Sequence, residues 1–367
     1  MQMALNDSEN LEYWGRLIRP LVRRRYSLLS SSGGPVNLFT TTSDLVMLLL
    51  LYILTGPDFA EKHSKEVVPM MQPYARLRKH ECYVLGRRIS PTGRLLDGVE
   101  RRMKMLIEEE VAFRLKNMER FRHNRDYLQI VLNRVGGKFV AGICPIDSSL
   151  IHTAYPGHIV GLLDQGHANQ TTTFAWSLVH AIRSPLLSAL RQPGSKDLLE
   201  ATLHETGRLY SNLMLVRGTT RSQTILGKDI PKGAYIACSP LITGRDPDIF
   251  PEANKFRPQR WMTPEQKLDE ARLKNAQRSG TWNQFGKGQF ACVGVKLARL
   301  ILLDTLWSTI LGNDAQPGFD VQIVSGIKEG TGIDDVGVEA KWSEAYLGTP
   351  FEKGDPVMVR FKLKSAS

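Results

Sequence analysis

Phe285-Gly286-Lys287-Gly288-Gln289-Phe290-Ala291-Cys292-Val293-Gly294 runs straight into an apolar stretch of helical spacing, residues 295–311. A glycine-rich loop thus delivers a cysteine to a helix N-terminus. Free amides and the positive end of the helix dipole favour thiolate over thiol there, and a thiolate is a strong ligand for a soft metal. Gly286 and Gly288 permit tight turning, and Gly294 permits close approach of a bound group to the backbone. A plainer reading is a buried structural cysteine beside a helix cap. The segments around the loop decide between the two.

Upstream, Glu205-Thr206-Gly207-Arg208 lies in residues 196–210, which read as a helix opening after the break at Pro193-Gly194. An acid and a base three apart share one helical face and can pair. Alone the pattern is weak, since it commonly marks a solvated face. Phe256-Arg257-Pro258-Gln259-Arg260-Trp261 follows, inside an irregular, proline-rich segment over residues 246–264. Between the two lie β-like runs at 213–219, 222–226 and 233–238, with turn signals at 227–229 and 231–233.

Further back, residues 156–182 form a long helical stretch that is hydrophobic on most sides, which predicts an interior position. Its polar middle, residues 167–173, then needs a use, because buried polar groups cost free energy unless they are bonded. The first half of the chain reads as helix at 11–29, 44–54, 59–76, 93–117 and 124–135, with a Ser-Gly-Pro break at 30–35. The tail, residues 321–363, reads as loops with a final strand pair. The expected fold class is mainly α with a smaller β part.

With 367 residues, 42% of them hydrophobic, the chain can build a sizeable core. The net charge of +11 suits nucleic acid, an anionic membrane or an acidic partner. No aromatic interleaving accompanies the basic runs at 23–25 and 101–104, so they read as solvated helix faces and no nucleic-acid partner is expected. Cys82, Cys144, Cys238 and Cys292 form no Cys-x-x-Cys pair, which argues against a zinc site or a disulfide framework. His152, His158, His167, His180 and His204 lack metal spacing and read as ordinary histidines. The longest apolar run, residues 45–54, is too short to cross a bilayer.

Taken together, these segments resemble the cytochromes P450. Residues 285–294 match the family pattern Phe-Gly-x-Gly-x-basic-x-Cys-x-Gly at every position but one, Phe290 standing where a base usually contacts a haem propionate. Glu205 and Arg208 resemble its Glu-x-x-Arg pair, and Arg260 the arginine that completes a buried network with them. Residues 213–221, 233–240 and 245–251 resemble the stretch after that helix in eukaryotic members. Ala168-Asn169-Gln170-Thr171-Thr172 resembles the oxygen-activating segment, with Thr171 as the best match, Thr172 beside it, and Gln170 in place of the usual acid. No counterpart of the family's membrane anchor, first β-rich segment or first propionate-contacting helix is found. The chain therefore reads as N-terminally shortened: a truncated product, an alternative gene model or a reduced member.

The resemblance implies a single P450-like domain over 1–367, with a helical part at 1–150, a haem-binding core at 151–312 and C-terminal loops and strands at 313–367. It implies haem b, with Cys292 as axial thiolate, Arg217 as propionate ligand and Phe285, Gly286 and Gly294 around the ring. Thr171, Thr172 and Gln170 would serve oxygen activation. The implied activity is monooxygenation of a lipophilic small molecule, a secondary metabolite or a sterol. O2 and NADPH-cytochrome P450 reductase, or a similar donor, would be its partners. Lys274, Arg278, Lys287, Lys296 and Arg299 would offer the donor a basic surface. The pocket would draw on residues 70–74, Leu163, Phe174, the strand after Met214 and the tail near Tyr346. By family, location would be the cytosolic face of the endoplasmic reticulum membrane, or the cytoplasm given no span. A haem-thiolate isomerase or dehydratase, and a shortened chain without activity, are the alternatives.

Overall fold

A computed structural model describes residues 2–77, 90–141, 148–183, 185–210, 215–313, 316–326, 340–342, 348–350 and 356–364. Helix far outweighs strand among these residues, so the fold is mainly α. The residues group into two compact units: 1–178 with 293–326 and 353–367, and 179–292 with 327–352.

The first unit opens with α1 (Gln2–Asn6) and α2 (Ser8–Ser32), which Asp7 caps through bonds to the Glu9 and Asn10 amides. Gly33, in the left-handed region at φ 65°, ends α2 at the break expected there. Helices α3 (Leu38–Thr55), α4 (Pro57–Leu77), α5 (Pro91–Lys116), α6 (Tyr127–Ala141) and α7 (Ser148–Ala181) follow. Helix α3 is 18 residues long, apolar enough to cross a membrane, and 78% buried within the protein. A core helix meets the same length and composition test, and the apolar run seen in the sequence is its second half.

Later in the chain, α10 (Val295–Ile310) packs on α2, where a Cβ on Gly15 would lie 2.8 Å from Asp304 Oδ2. Strand β1 (Val36–Asn37) pairs with β7 (Met358–Leu363), which pairs antiparallel with β6 (Phe319–Ser325) in the order β1-β7-β6. Tyr26 of α2 closes the sheet against the helices, stacking on Phe361 at 4.4 Å and meeting Phe319 edge-on at 5.7 Å. The terminal strand pair was legible, but β1 was not, since its two residues carry no alternation.

The second unit is built on α8 (Lys196–Tyr210), whose bounds are those the sequence predicts. Strand β2 (Leu215–Gly218) pairs with β5 (Tyr235–Cys238), and β3 (Gln223–Ile225) with β4 (Lys228–Ile230). The turn expected at 227–229 lies one residue earlier. Leu226 and Gly227, at φ 49° and 73°, form the two-residue hairpin loop, and Lys228 and Asp229 belong to β4. Helix α9 (Glu270–Ser279) was not anticipated, although Asp269 caps its start and Gly280 its end.

Helix α7 begins eight residues ahead of the expected start, and Pro156 lies inside it. Proline favours a first helical turn but does not demand one. Here about two turns precede it.

Candidate functional site

The second unit is organised around one buried carboxylate. Glu205 Oε1 accepts from Arg208 Nη2 at 2.7 Å, the Arg257 amide at 2.8 Å and Arg260 Nε at 2.9 Å. Its Oε2 accepts from Arg208 Nε and Trp261 Nε1, both at 2.9 Å. Arg208 spends its remaining N–H groups on the carbonyls of Gly244, Ala253 (2.6 Å) and Lys255 (3.1 Å). Every donor of that guanidinium is used, which is the condition for burying it. Arg260 is held by burial below the ordinary arginine pKa, with Glu205 opposing the shift. The face shared by Glu205 and Arg208 is therefore a buried anchor. It draws in residues 244–261 through their backbone as well as through Arg260.

Two tryptophans complete this core: Trp261, the last residue of the segment 256–261, and Trp282, which the sequence did not single out. Trp261 and Trp282 meet edge-on at 6.2 Å among Phe250, Leu273 and Ala201. Trp282 Nε1 donates to the His204 carbonyl at 3.2 Å, and its ring meets that of Phe285 at 6.4 Å. Burial lowers the His204 pKa to about 4, so this imidazole is neutral at physiological pH. His180 is also fully buried and neutral, bonded to Tyr210 Oη at 2.9 Å and stacked on Phe256 at 3.6 Å.

From Trp282 the chain enters the cysteine loop. Gly286 and Gly288 adopt φ of 70° and 69°, a conformation that favours glycine, as the spacing predicts. Residues Gly288–Phe290 make a 3-10 turn, and the Cys292 amide returns to the Phe285 carbonyl at 2.7 Å. Cys292 is exposed, with a free thiol. The side chain of Phe290 lies outside the described residues.

Arg217 sits on β2 with its side chain exposed, Nη1 donating to the Val216 carbonyl at 2.8 Å. Its neighbour Val216 is itself 44% exposed in this two-stranded ribbon. Of the expected basic surface, Lys274 pairs with Glu270 at 3.2 Å and Lys287 Nζ donates to the Arg278 carbonyl.

In the first unit, α7 buries Gln170, Thr171 and Thr172. Thr172 Oγ1 bonds back to the Ala168 carbonyl at 3.1 Å, the ordinary fate of a mid-helix hydroxyl. Thr171 Oγ1 and Gln170 Oε1 have no hydrogen-bond partner among the described residues, although they are 1% and 6% exposed. Adjacent buried polar atoms without partners are costly, and in a native fold they call for a use. Leu163 and Phe174 of the same helix are buried and apolar. Of the other expected pocket residues, the side chain of Tyr74, and Met214 and Tyr346 entirely, lie outside the described residues.

The cysteine loop fits haem better than a bare metal ion. No group of three His, Cys, Asp or Glu side chains is placed to hold a metal among the described residues. A single sulfur makes a poor site for a bare ion but suffices for an iron that brings four ring nitrogens of its own. A Cβ on Gly288 or Gly294 would meet nothing within 4 Å, which leaves the loop backbone open to a flat group.

Comparison with known proteins agrees with this arrangement. The cytochrome P450 family model matches residues 195–312, which include Glu205, Arg208, Arg260 and Cys292. The chain is 26% identical over 335 residues to cytochrome P450 monooxygenase pyvB of Aspergillus violaceofuscus, a match covering 86% of this chain and 66% of that one. It is 27% identical over 394 residues to cytochrome P450 monooxygenase pytD of Aspergillus terreus, covering 99% and 94%. The chain thus spans just under two thirds of the first relative and most of the second. The solved haem domain of cytochrome P450DA shares the fold, with a TM-score of 0.69 at 15% identity, covering 100% of this chain and 75% of that one. With its glycine-rich cysteine loop and buried Glu205–Arg208–Arg260 network, the chain belongs to the cytochrome P450 superfamily, with fungal monooxygenases among its relatives.

Proposed function

We propose that the protein is a haem-thiolate monooxygenase that acts on a lipophilic small molecule in fungal secondary metabolism. The observation that carries this reading is the exposed Cys292 thiol on a loop whose amide returns to Phe285. When bound, haem b supplies the activation of O2, one atom entering the substrate and the other leaving as water with two electrons and two protons. Cys292 Sγ would be the iron's protein ligand. Arg217, exposed and able to fork onto a carboxylate, would pair with a propionate. Thr171 Oγ1 would hold and pass a proton, which gives its unpartnered hydroxyl a use. Phe174 and Leu163 would keep water away and present an apolar wall.

Electrons would come from NADPH-cytochrome P450 reductase or a similar donor, at the cytosolic face of the endoplasmic reticulum membrane. Substrates of terpenoid, polyketide or alkaloid type are favoured over sterols, because the chain does not follow the sterol-demethylase pattern closely. The test is the absorbance of the reduced, carbon-monoxide-bound protein. A red-shifted Soret band that Cys292→Ser abolishes is expected, and haem bound without that band would remove the assignment.

Gln170 favours a second reading. An amide cannot give up a proton as a carboxylic acid does, so an isomerase or dehydratase needing no external electrons would tolerate it. Turnover without any electron donor would select that reading.

A further inference from the structure

Gly207 stands beside Arg208 on α8, and its missing Cβ leaves the room that the Gln284 side chain occupies. A Cβ there would lie 2.0 Å from Gln284 Oε1, 2.4 Å from its Cδ and 2.9 Å from its Nε2. The Gln284 amide therefore rests directly on bare helix backbone. Gln284 immediately precedes Phe285, whose carbonyl receives the Cys292 amide at 2.7 Å. Two residues earlier, Trp282 Nε1 bonds the His204 carbonyl at 3.2 Å, about one turn from Gly207 on the same helix. The chain entering the cysteine loop thus meets α8 at two points, 204 and 207. One contact alone would let residues 283–285 pivot about the indole, and the second removes that freedom.

We propose that the bare helix surface at Gly207 is a seat for Gln284, and that Gln284 is a positioning residue which sets where Cys292 Sγ stands for the haem iron. The inference rests on the haem-thiolate reading. The seat locks the Phe285 carbonyl to the helix that carries Glu205 and Arg208, so the rigidity of that buried anchor reaches the cysteine backbone through two covalent steps and one hydrogen bond.

The test uses the full chain with Gly207→Ala, Gln284→Ala and the double variant. Alanine is the better helix former, so a loss in Gly207→Ala reports the collision with Gln284 and not helix propensity. In the haem-free chain labelled with fluorotryptophan, the Trp282 fluorine resonance, assigned with Trp282→Phe, should move in Gly207→Ala and return towards its original place in the double variant. In the haem-loaded protein, Gly207→Ala should lose about half of the thiolate-type carbon monoxide band to the unshifted one. Gln284→Ala should lose less, and the double variant should match Gln284→Ala, because the clashing atoms are then gone. A Gly207→Ala protein indistinguishable from the parent, or a double variant as impaired as Gly207→Ala, would overturn the seat. If the parent itself lacks the thiolate-type band, the haem-thiolate reading fails, while the fluorine resonance still decides the contact.

Discussion

Among the described residues, each unit buries one arginine completely, and the two are treated in opposite ways. Arg208 and Arg260 share the single carboxylate of Glu205, so two positive charges surround one negative charge. Arg114, on α5, faces two carboxylates, with Nε on Glu110 Oε1 at 2.7 Å and Nη1 on Asp126 Oδ1 at 2.6 Å. Its Nη2 reaches the Thr55 carbonyl at 2.5 Å, next to Gly56 at the end of α3. Around Glu205 both oxygens are fully bonded. Around Arg114, Asp126 Oδ2 has no partner among the described residues, and burial raises the Asp126 pKa although Arg114 opposes it. One knot is saturated and ties loops far apart in sequence to a helix. The other ties helix ends together and keeps an adjustable group, since a carboxyl can take up a proton where a guanidinium cannot give one up.

That difference orders the expected effects of breaking each knot. Glu205→Gln leaves two guanidiniums buried without a counter-charge and should cost about 3–5 kcal/mol, visible as a lowered urea midpoint and lost haem uptake. Arg114→Leu should cost less, about 2–4 kcal/mol, because Asp126 can become neutral. Its cost should depend on pH. A carboxyl whose folded pKa is raised favours the fold below its unfolded value, near 3.8, and loses that advantage as pH rises through the folded value. The variant should therefore unfold more easily at neutral pH than near pH 4, relative to the parent, in matched urea titrations. An equal cost at both pH values would remove Asp126 as the adjustable group.

Trp261→Phe removes one donor from Glu205 Oε2 and should cost about 1.5–3 kcal/mol. A cost near zero would mean that the carboxylate has donors to spare. Gly244→Ala would place a Cβ 2.3 Å from the Arg208 carbonyl oxygen, a backbone atom that cannot rotate away. The expected cost is about 1–3 kcal/mol, with the larger value if the Gly244 bond to Arg208 is lost as well.

Much of the saturated knot was legible in the sequence. Glu205 and Arg208 are three apart in a strongly periodic helix, and Arg260 sits in a recognisable segment. Its backbone members were not legible, because the Arg257 amide and the carbonyls of Gly244, Ala253 and Lys255 are groups that any residue type offers. The Arg114 knot left no trace at all, since Thr55, Glu110 and Asp126 follow no shared pattern and come together only when three helices pack. Helix α9 went unread despite its Asp269 and Gly280 caps, which were available as signals. Neither Gly207 nor Gln284 was distinguishable in sequence from an ordinary helix glycine and an ordinary loop glutamine.

By itself the amino-acid sequence determined the mainly helical class and the cysteine loop with its two left-handed glycines, because these depend on local periodicity and short spacings, and the resemblance of that loop and its companion segments pointed to the family. Only the tertiary structure decided which buried groups are satisfied. It saturated Glu205, returned Thr172 to its own helix and left Thr171 Oγ1 and Gln170 Oε1 without partners among the described residues. Burial and long-range hydrogen bonding arise when distant segments meet, and no local spacing encodes where a neighbouring carbonyl will lie.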